Sequence, residues 1–259
     1  MAGGELLSIQ DLEVSFQMRR GTAYALRGID LALQSGEILG LVGESGSGKT
    51  VTSTCILGLL PSPPARVTRG QVLFRGVDLL GLPESERRLT RGRQIAMVFQ
   101  EPSKYLNPSL KVREQITESL RLHLGLETPQ ALKRAEELLE LVGLSDTRRV
   151  LAAYPHELSG GMRQRVMIAM AVSCEPAILI ADEPTTALDV TLQRQILTLI
   201  RDLRDRFAMG VLFISHDLGV VHEVSDRVAV IYAGRIVESA SRERLFAEPL
   251  HPYTRLLLA

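Results

Sequence analysis

Two groups of residues in this chain have the types and spacing to handle phosphate. Gly43-Glu44-Ser45-Gly46-Ser47-Gly48-Lys49-Thr50 fits the pattern G-x-x-x-x-G-K-[ST]. Its glycines let successive backbone N–H groups turn inward on an anion, and a helix beginning at its end adds partial positive charge. In such a loop Lys49 reaches the β- and γ-phosphates, and the Thr50 hydroxyl supplies one magnesium position. The second group is Asp182-Glu183-Pro184, closing the apolar run 177–181. An Asp at such a strand end supports Mg²⁺, and the adjacent Glu is suited to orient or deprotonate an attacking water. Strand alternation would point the two carboxylates in different directions, which suits two roles. A third segment, Leu158-Ser159-Gly160-Gly161-Met162, opens a helical stretch through Val172. Ser159 is a good N-cap, and the two glycines bare N–H groups at the positive helix end. From these residues alone it reads as an ordinary helix cap, with an anion site as the alternative.

The elements that must position these groups can be read from periodicity. The run 37–42 is a buried strand leading into the loop, and 51–60 a helix stopped by Pro61. Residues 6–17 and 25–34 alternate as strands joined by the turn-prone 19–22, and 71–74 with Val77 extends this β-rich part. A strand over 94–100 ends in Gln100. Helices then follow over 110–124 and from Thr128, a fitting N-cap, with Pro129 first in the helix and Gly143 ending it. Leu192, Ile196, Leu199, Leu203 and Phe207 mark a long amphipathic helix. Beyond it lie a strand at 211–215 and a hairpin 228–232/235–238 turning at Ala233-Gly234. The expected fold class is α/β: a P-loop NTPase core with a mainly parallel sheet, an antiparallel β-subdomain and an inserted helical subdomain. We expect one domain over 1–259, with 1–80 holding the antiparallel part and the loop, and roughly 101–172 forming the helical subdomain.

Bulk composition removes several classes. Thirty basic residues balance thirty acidic ones, so there is no nucleic-acid footprint. The arginines at 87, 88, 91 and 93 lie beside Glu84 and Glu86 and read as a solvated helix face. Cys55 and Cys174 fall among apolar residues of expected helices, as buried thiols of a reducing compartment. No apolar stretch is long enough to span a bilayer, and the N-terminus lacks a charged-then-apolar signal pattern. The expectation is a soluble cytoplasmic subunit, and any membrane pore must be another chain.

Leu158-Ser-Gly-Gly-Met-Arg-Gln-Arg165, just ahead of the carboxylate strand, resembles the signature sequence of ATP-binding cassette (ABC) ATPases. The resemblance covers essentially the whole chain. Phe16 matches the aromatic that stacks on adenine, Gln100 the Q-loop glutamine, Asp189 the D-loop aspartate and His216 the switch histidine. It implies ATP and Mg²⁺ as ligands, with the loop 43–50 and Val51 on the nucleotide and Thr50, Gln100 and Asp182 around the metal. Lys49, Glu183 and His216 would carry catalysis. Two such domains would dock head to tail, each ATP lying between the loop of one subunit and Ser159-Gly160-Gly161 of the other. Asp189 would speak across the dimer.

Three segments resemble the di- and oligopeptide and nickel importer branch: Pro102-Ser-Lys-Tyr-Leu-Asn-Pro108, Tyr154-Pro-His-Glu157, and His251-Pro-Tyr-Thr254. That branch implies a second, different ATPase subunit, two integral-membrane permease subunits and, indirectly, a solute-binding protein, at the cytoplasmic face of the membrane. Glutathione and nickel are alternative cargoes to peptides. Some members continue into a cysteine-rich tail that holds an iron–sulfur cluster; no cysteine follows Cys174 here. The sequence is either a short member or part of a longer one.

Overall fold

The computed structural model describes residues 5–19, 21–186 and 188–258. The fold is α/β and the chain forms two compact units: one runs to Arg88 and resumes at Ala208, the other is Leu89–Phe207. Arg20, in the expected 19–22 turn, and Ala187 lie outside the described residues.

In the first unit the strands Glu5–Met18 and Gly21–Gln34 pair antiparallel, and Glu5–Met18 also pairs with Ala65–Phe74 on its other side. Leu12, Val14, Leu26 and Ile29 are fully shielded, which fixes the register of the alternating strands. A second set of strands carries the phosphate loop. Ile38–Val42, buried throughout, lies parallel to Gly210–Ser215 on one side and to Arg227–Tyr232 on the other. Such two-sided burial is why 38–42 reads as a continuous apolar run rather than an alternation. Arg227–Tyr232 turns back through Ala233-Gly234 into Arg235–Ser241. Arg227 ties this hairpin inward: its Nε donates to Glu37 Oε1 at 2.7 Å, and an Nη donates to the Ala32 carbonyl.

The helix after the loop is Lys49–Ile56, shorter than the sequence suggested. The Gly58 and Leu59 N–H groups turn back onto the Cys55 and Thr54 carbonyls, so the helix closes well before Pro61. The Glu84–Thr90 helix buries nothing, as its mixed charges imply.

In the second unit Ile95–Val98 and Ile178–Asp182 pair parallel. Six α-helices accompany them among the described residues: Pro102–Tyr105, Val112–Leu124, Thr128–Leu141, Thr147–Ala152, Gly160–Val172 and Val190–Phe207. Ile116, Leu120, Ala135, Leu138, Val166 and Ile168 are all buried, so the helical faces meet in one apolar interior. The Thr128 cap is displaced by one residue: Glu127 is the N-cap, with extended backbone, and its N–H donates to Gln130 Oε1 at 3.1 Å. Cys174 falls just past the Gly160–Val172 helix but is buried, as is Cys55. Among the described residues no helix is long and apolar enough to cross a membrane.

Candidate active site

In the first unit Val42 and Ser215 are in register on neighbouring parallel strands. The loop 43–50 and His216 therefore leave the sheet at one carboxyl edge, the edge where open α/β sheets place their ligands. The loop's path depends on absent side chains. A Cβ on Gly43 would lie 2.2 Å from the Ile231 carbonyl oxygen. Gly48 has φ +116°, and a Cβ there would press to 2.8 Å on Leu26 and 2.9 Å on the Ala25 oxygen.

Lys49 opens the helix, 5% exposed, and its ammonium donates to the Gly43 carbonyl at 2.7 Å and the Glu44 carbonyl at 3.0 Å. A buried cation needs such partners, and these are exchangeable for stronger anionic ones. Ser47 is also buried, and its Oγ has no hydrogen-bond partner. No acidic residue occupies the first turn of Lys49–Ile56, so nothing there offsets the helix-end charge. A lysine, an unsatisfied hydroxyl and a helix whose first turn carries no acidic residue fit a phosphate chain. Thr50 stands exposed at the same turn. Phe16 is half-buried in the first strand, with Ala23 and Ala65 as its cross-strand neighbours. His216 is exposed directly after its strand. Asp217 beside it caps the Leu218–Val224 helix, accepting from Gly219 N at 2.8 Å and Val220 N at 3.2 Å.

The second unit brings Gln100 and Glu183 together. Val98 and Ala181 are in register, so both residues emerge from the carboxyl ends of paired strands. Gln100 Nε2 donates to Glu183 Oε2 at 2.7 Å, and the Thr186 hydroxyl donates to the same oxygen at 3.0 Å. The alternation expected of the two carboxylates does not extend to Glu183. The strand ends at Asp182, which is 6% exposed, and Glu183 turns into the left-handed region at φ +48°. The backbone turn, rather than the pleat, separates their directions. Thr186 at this turn is a partner that sequence reading passed over.

Ser159 is exposed, and its Oγ accepts from Met162 N at 3.3 Å, as an N-cap does. Gly160 is exposed too, while Gly161 is buried, and a Cβ on it would approach Leu192 to 3.2 Å. Asp189 caps the helix that carries Leu192, its Oδ1 accepting from Leu192 N at 2.9 Å. Oxygen donors such as Thr50, Gln100 and Asp182 suit a hard divalent cation. Among the described residues no group of three or more His, Cys, Asp or Glu could hold a metal ion by itself.

Sequence reading also missed Tyr253. It lies in the Pro252–Leu258 helix, and its hydroxyl oxygen accepts from the Glu44 N–H at 3.0 Å. Burial pushes the phenol above its ordinary pKa, so it stays neutral. His251-Pro-Tyr-Thr254 was visible as a motif, but nothing local to it pointed at a loop so distant in sequence.

A family model described as ABC transporter matches residues 14–186. The oligopeptide transport ATP-binding protein OppD of Bacillus subtilis (strain 168) is 53% identical over 98% of this chain and 71% of its own length. A probable peptide ABC transporter ATP-binding protein, y4tR, of Sinorhizobium fredii is 54% identical over 98% of this chain and 76% of its own. The glutathione import ATP-binding protein GsiA of Salmonella typhimurium is 49% identical over 98% of this chain but 42% of its own. Among solved structures, the dimeric post-hydrolysis state of the cassette MJ0796 bound to ADP and Pi has a TM-score of 0.81 at 28% identity, covering 91% of this chain and 98% of that one. The family match takes in the phosphate loop, Gln100, the 158–165 segment and both carboxylates in one stretch, and the chain therefore belongs to the ABC transporter family, as one of its ATP-hydrolysing cassettes.

Proposed function

We propose that the chain is the energy-coupling ATPase of an importer for di- or oligopeptides. The observation that carries this reading is the likeness over 98% of the chain to peptide-transport ATP-binding proteins at 53% and 54% identity. Glutathione is a second cargo reading, favoured by the 49% identity to GsiA.

In the proposed mechanism the loop 43–50 with Val51 seats the triphosphate, and Phe16 stacks on the adenine. Lys49 exchanges the Gly43 and Glu44 carbonyls for phosphate oxygens, a stronger charge-assisted pairing. Glu183 takes the proton of the attacking water, and the Gln100 amide, 2.7 Å from its Oε2, holds the carboxylate in place for this. His216, at the same sheet edge as the loop, contacts the γ-phosphate. Thr50, Asp182 and Gln100 would hold Mg²⁺, which neutralises charge on the phosphates. The N-cap of Ser159 with Gly160 and Gly161 would cover the ATP of a second cassette, and Asp189 would speak across that interface. The second cassette is expected to be a different ATPase. Two integral-membrane permease subunits at the cytoplasmic face and a solute-binding protein would complete the importer.

The test is an affinity pull-down of the tagged chain from detergent-solubilised native membranes. Two polytopic proteins, a second cassette and a solute-binding protein should co-purify, and the binding protein's ligand would name the cargo. Ribosomal or DNA-bound partners without a membrane protein would overturn the transport reading and leave the ATPase standing.

A further inference from the structure

The phosphate loop is gripped from outside at two points. The hairpin turn supplies one: Gly234 N–H donates to the Ser47 carbonyl at 2.9 Å. Tyr253 supplies the other, through the Glu44 N–H. The Gly43–Glu44 peptide is thus engaged at both ends, its N–H by the tyrosine oxygen and its carbonyl, that of Gly43, by the Lys49 ammonium at 2.7 Å. The tyrosine is in turn held firmly. It is 8% exposed, and its ring packs 4.3 Å from that of Tyr232 on the hairpin. The segment leading into its helix is pinned by Glu238, whose carboxylate accepts from Leu250 N at 2.8 Å and His251 N at 3.0 Å. Tyr253 N donates to His251 Nδ1 at 3.1 Å, which fixes the first turn.

We infer that Tyr253 is a positioning residue for the phosphate loop: its hydroxyl holds the Gly43–Glu44 peptide, and through that peptide's carbonyl the resting place of Lys49, so that the loop meets nucleotide already in its binding shape. This rests on the loop being the ATP site, as proposed above. A loop held ready loses less freedom when ATP binds, so the hydroxyl strengthens binding rather than the chemical step. Removing one such hydrogen bond corresponds to about three- to tenfold in affinity.

The test compares the full chain with Tyr253→Phe, Tyr232→Phe and Lys49→Ala, by equilibrium titration with ATP and steady-state phosphate release. Tyr253→Phe keeps the ring and deletes only the hydroxyl. It should weaken ATP binding and raise KM by about three- to tenfold with kcat retained. Tyr232→Phe, an exposed neighbour outside the loop, should match the wild type. Tyr253→Phe binding ATP as the wild type does, or no worse than Tyr232→Phe, would overturn the inference. A fall in kcat at unchanged KM would overturn it too. Lys49→Ala separates the two levels. If that variant keeps full ATP affinity, the loop is not the phosphate site and the underlying reading fails. If it loses affinity while Tyr253→Phe does not, only the positioning role fails. Should Tyr253→Phe not fold, amide exchange in the wild-type chain decides: the Glu44 N–H should exchange slowly, and rapid exchange would overturn the inference.

Discussion

Lys49 is buried and Glu183 half-buried, and the two side chains are held differently. The Lys49 ammonium is partnered by its own loop's carbonyls, an arrangement that phosphate oxygens can replace. Glu183 instead adopts a left-handed backbone, costing roughly 1–3 kcal/mol for a residue with a Cβ, and is held there by Gln100 and Thr186. Strain of that kind persists where the surroundings over-determine it, and here it fixes one carboxylate oxygen by two donors. Glu183→Gln preserves shape and an accepting oxygen but removes the base. Phosphate release should fall about 10²–10⁴-fold while ATP affinity measured by titration stays near wild type. The cysteines present the opposite case, groups with no chemistry to perform. Burial pushes the Cys55 thiol up to about 12, and burial raises that of Cys174 as well. Neither forms thiolate near neutrality. A colorimetric thiol reagent at pH 7.5 should therefore react slowly with the native protein and release two equivalents once it is denatured.

At the level of elements, the helix start at Ser159 combines a local stability role with a proposed functional one, and the two can be separated. Ser159→Ala deletes the bond from Met162 N, a long one at 3.3 Å on an exposed cap. The loss should be about 0.5–1 kcal/mol, a fall in melting temperature of about 2–3 °C in nucleotide-free protein. ATP turnover by the assembled cassettes should drop by far more than that loss explains, if the hydroxyl also meets a partner's nucleotide. The same helix shows why much of the architecture could be read from sequence. Its cap, glycines and apolar run are contiguous, as are the loop 43–50 and the fully buried strand before it. What escaped reading was either too short or too distant. Helices such as Thr147–Ala152 and Leu218–Val224 span barely two turns, too few for a period to show. Glu127 took the cap from Thr128 because Gln130 can reach its N–H, a choice that neighbouring residue types leave open. The Gln100–Glu183 bond joins residues 83 apart, and Tyr253 meets Glu44 across 209. The candidate site residues were legible as motifs because each motif is local. Their supports were not, because tertiary packing brings them from elsewhere in the chain.

For the whole molecule, charge balance bears on the proposed two-cassette sandwich. The thirty positive and thirty negative side chains of this chain cancel, so it brings no net charge to the pair for a second cassette to repel or attract. In the proposed sandwich docking would then depend on the ligand: an ATP held by both subunits would stabilise the pair by mass action, and hydrolysis would withdraw that support. Blocking hydrolysis should let the closed form accumulate. The Glu183→Gln chain, mixed with its co-purifying cassette and saturating Mg-ATP, should sediment as a pair in analytical ultracentrifugation and separate when nucleotide is removed. Because the attraction is not long-range electrostatics, raising salt from 50 to 300 mM should change the paired fraction little. Adding Ser159→Ala to the Glu183→Gln chain should reduce pairing at fixed ATP, since the same helix start that caps one subunit is proposed to hold the nucleotide of the other. A Glu183→Gln chain that binds ATP but remains unpaired with the second cassette at saturation would refute the sandwich while leaving each nucleotide site intact.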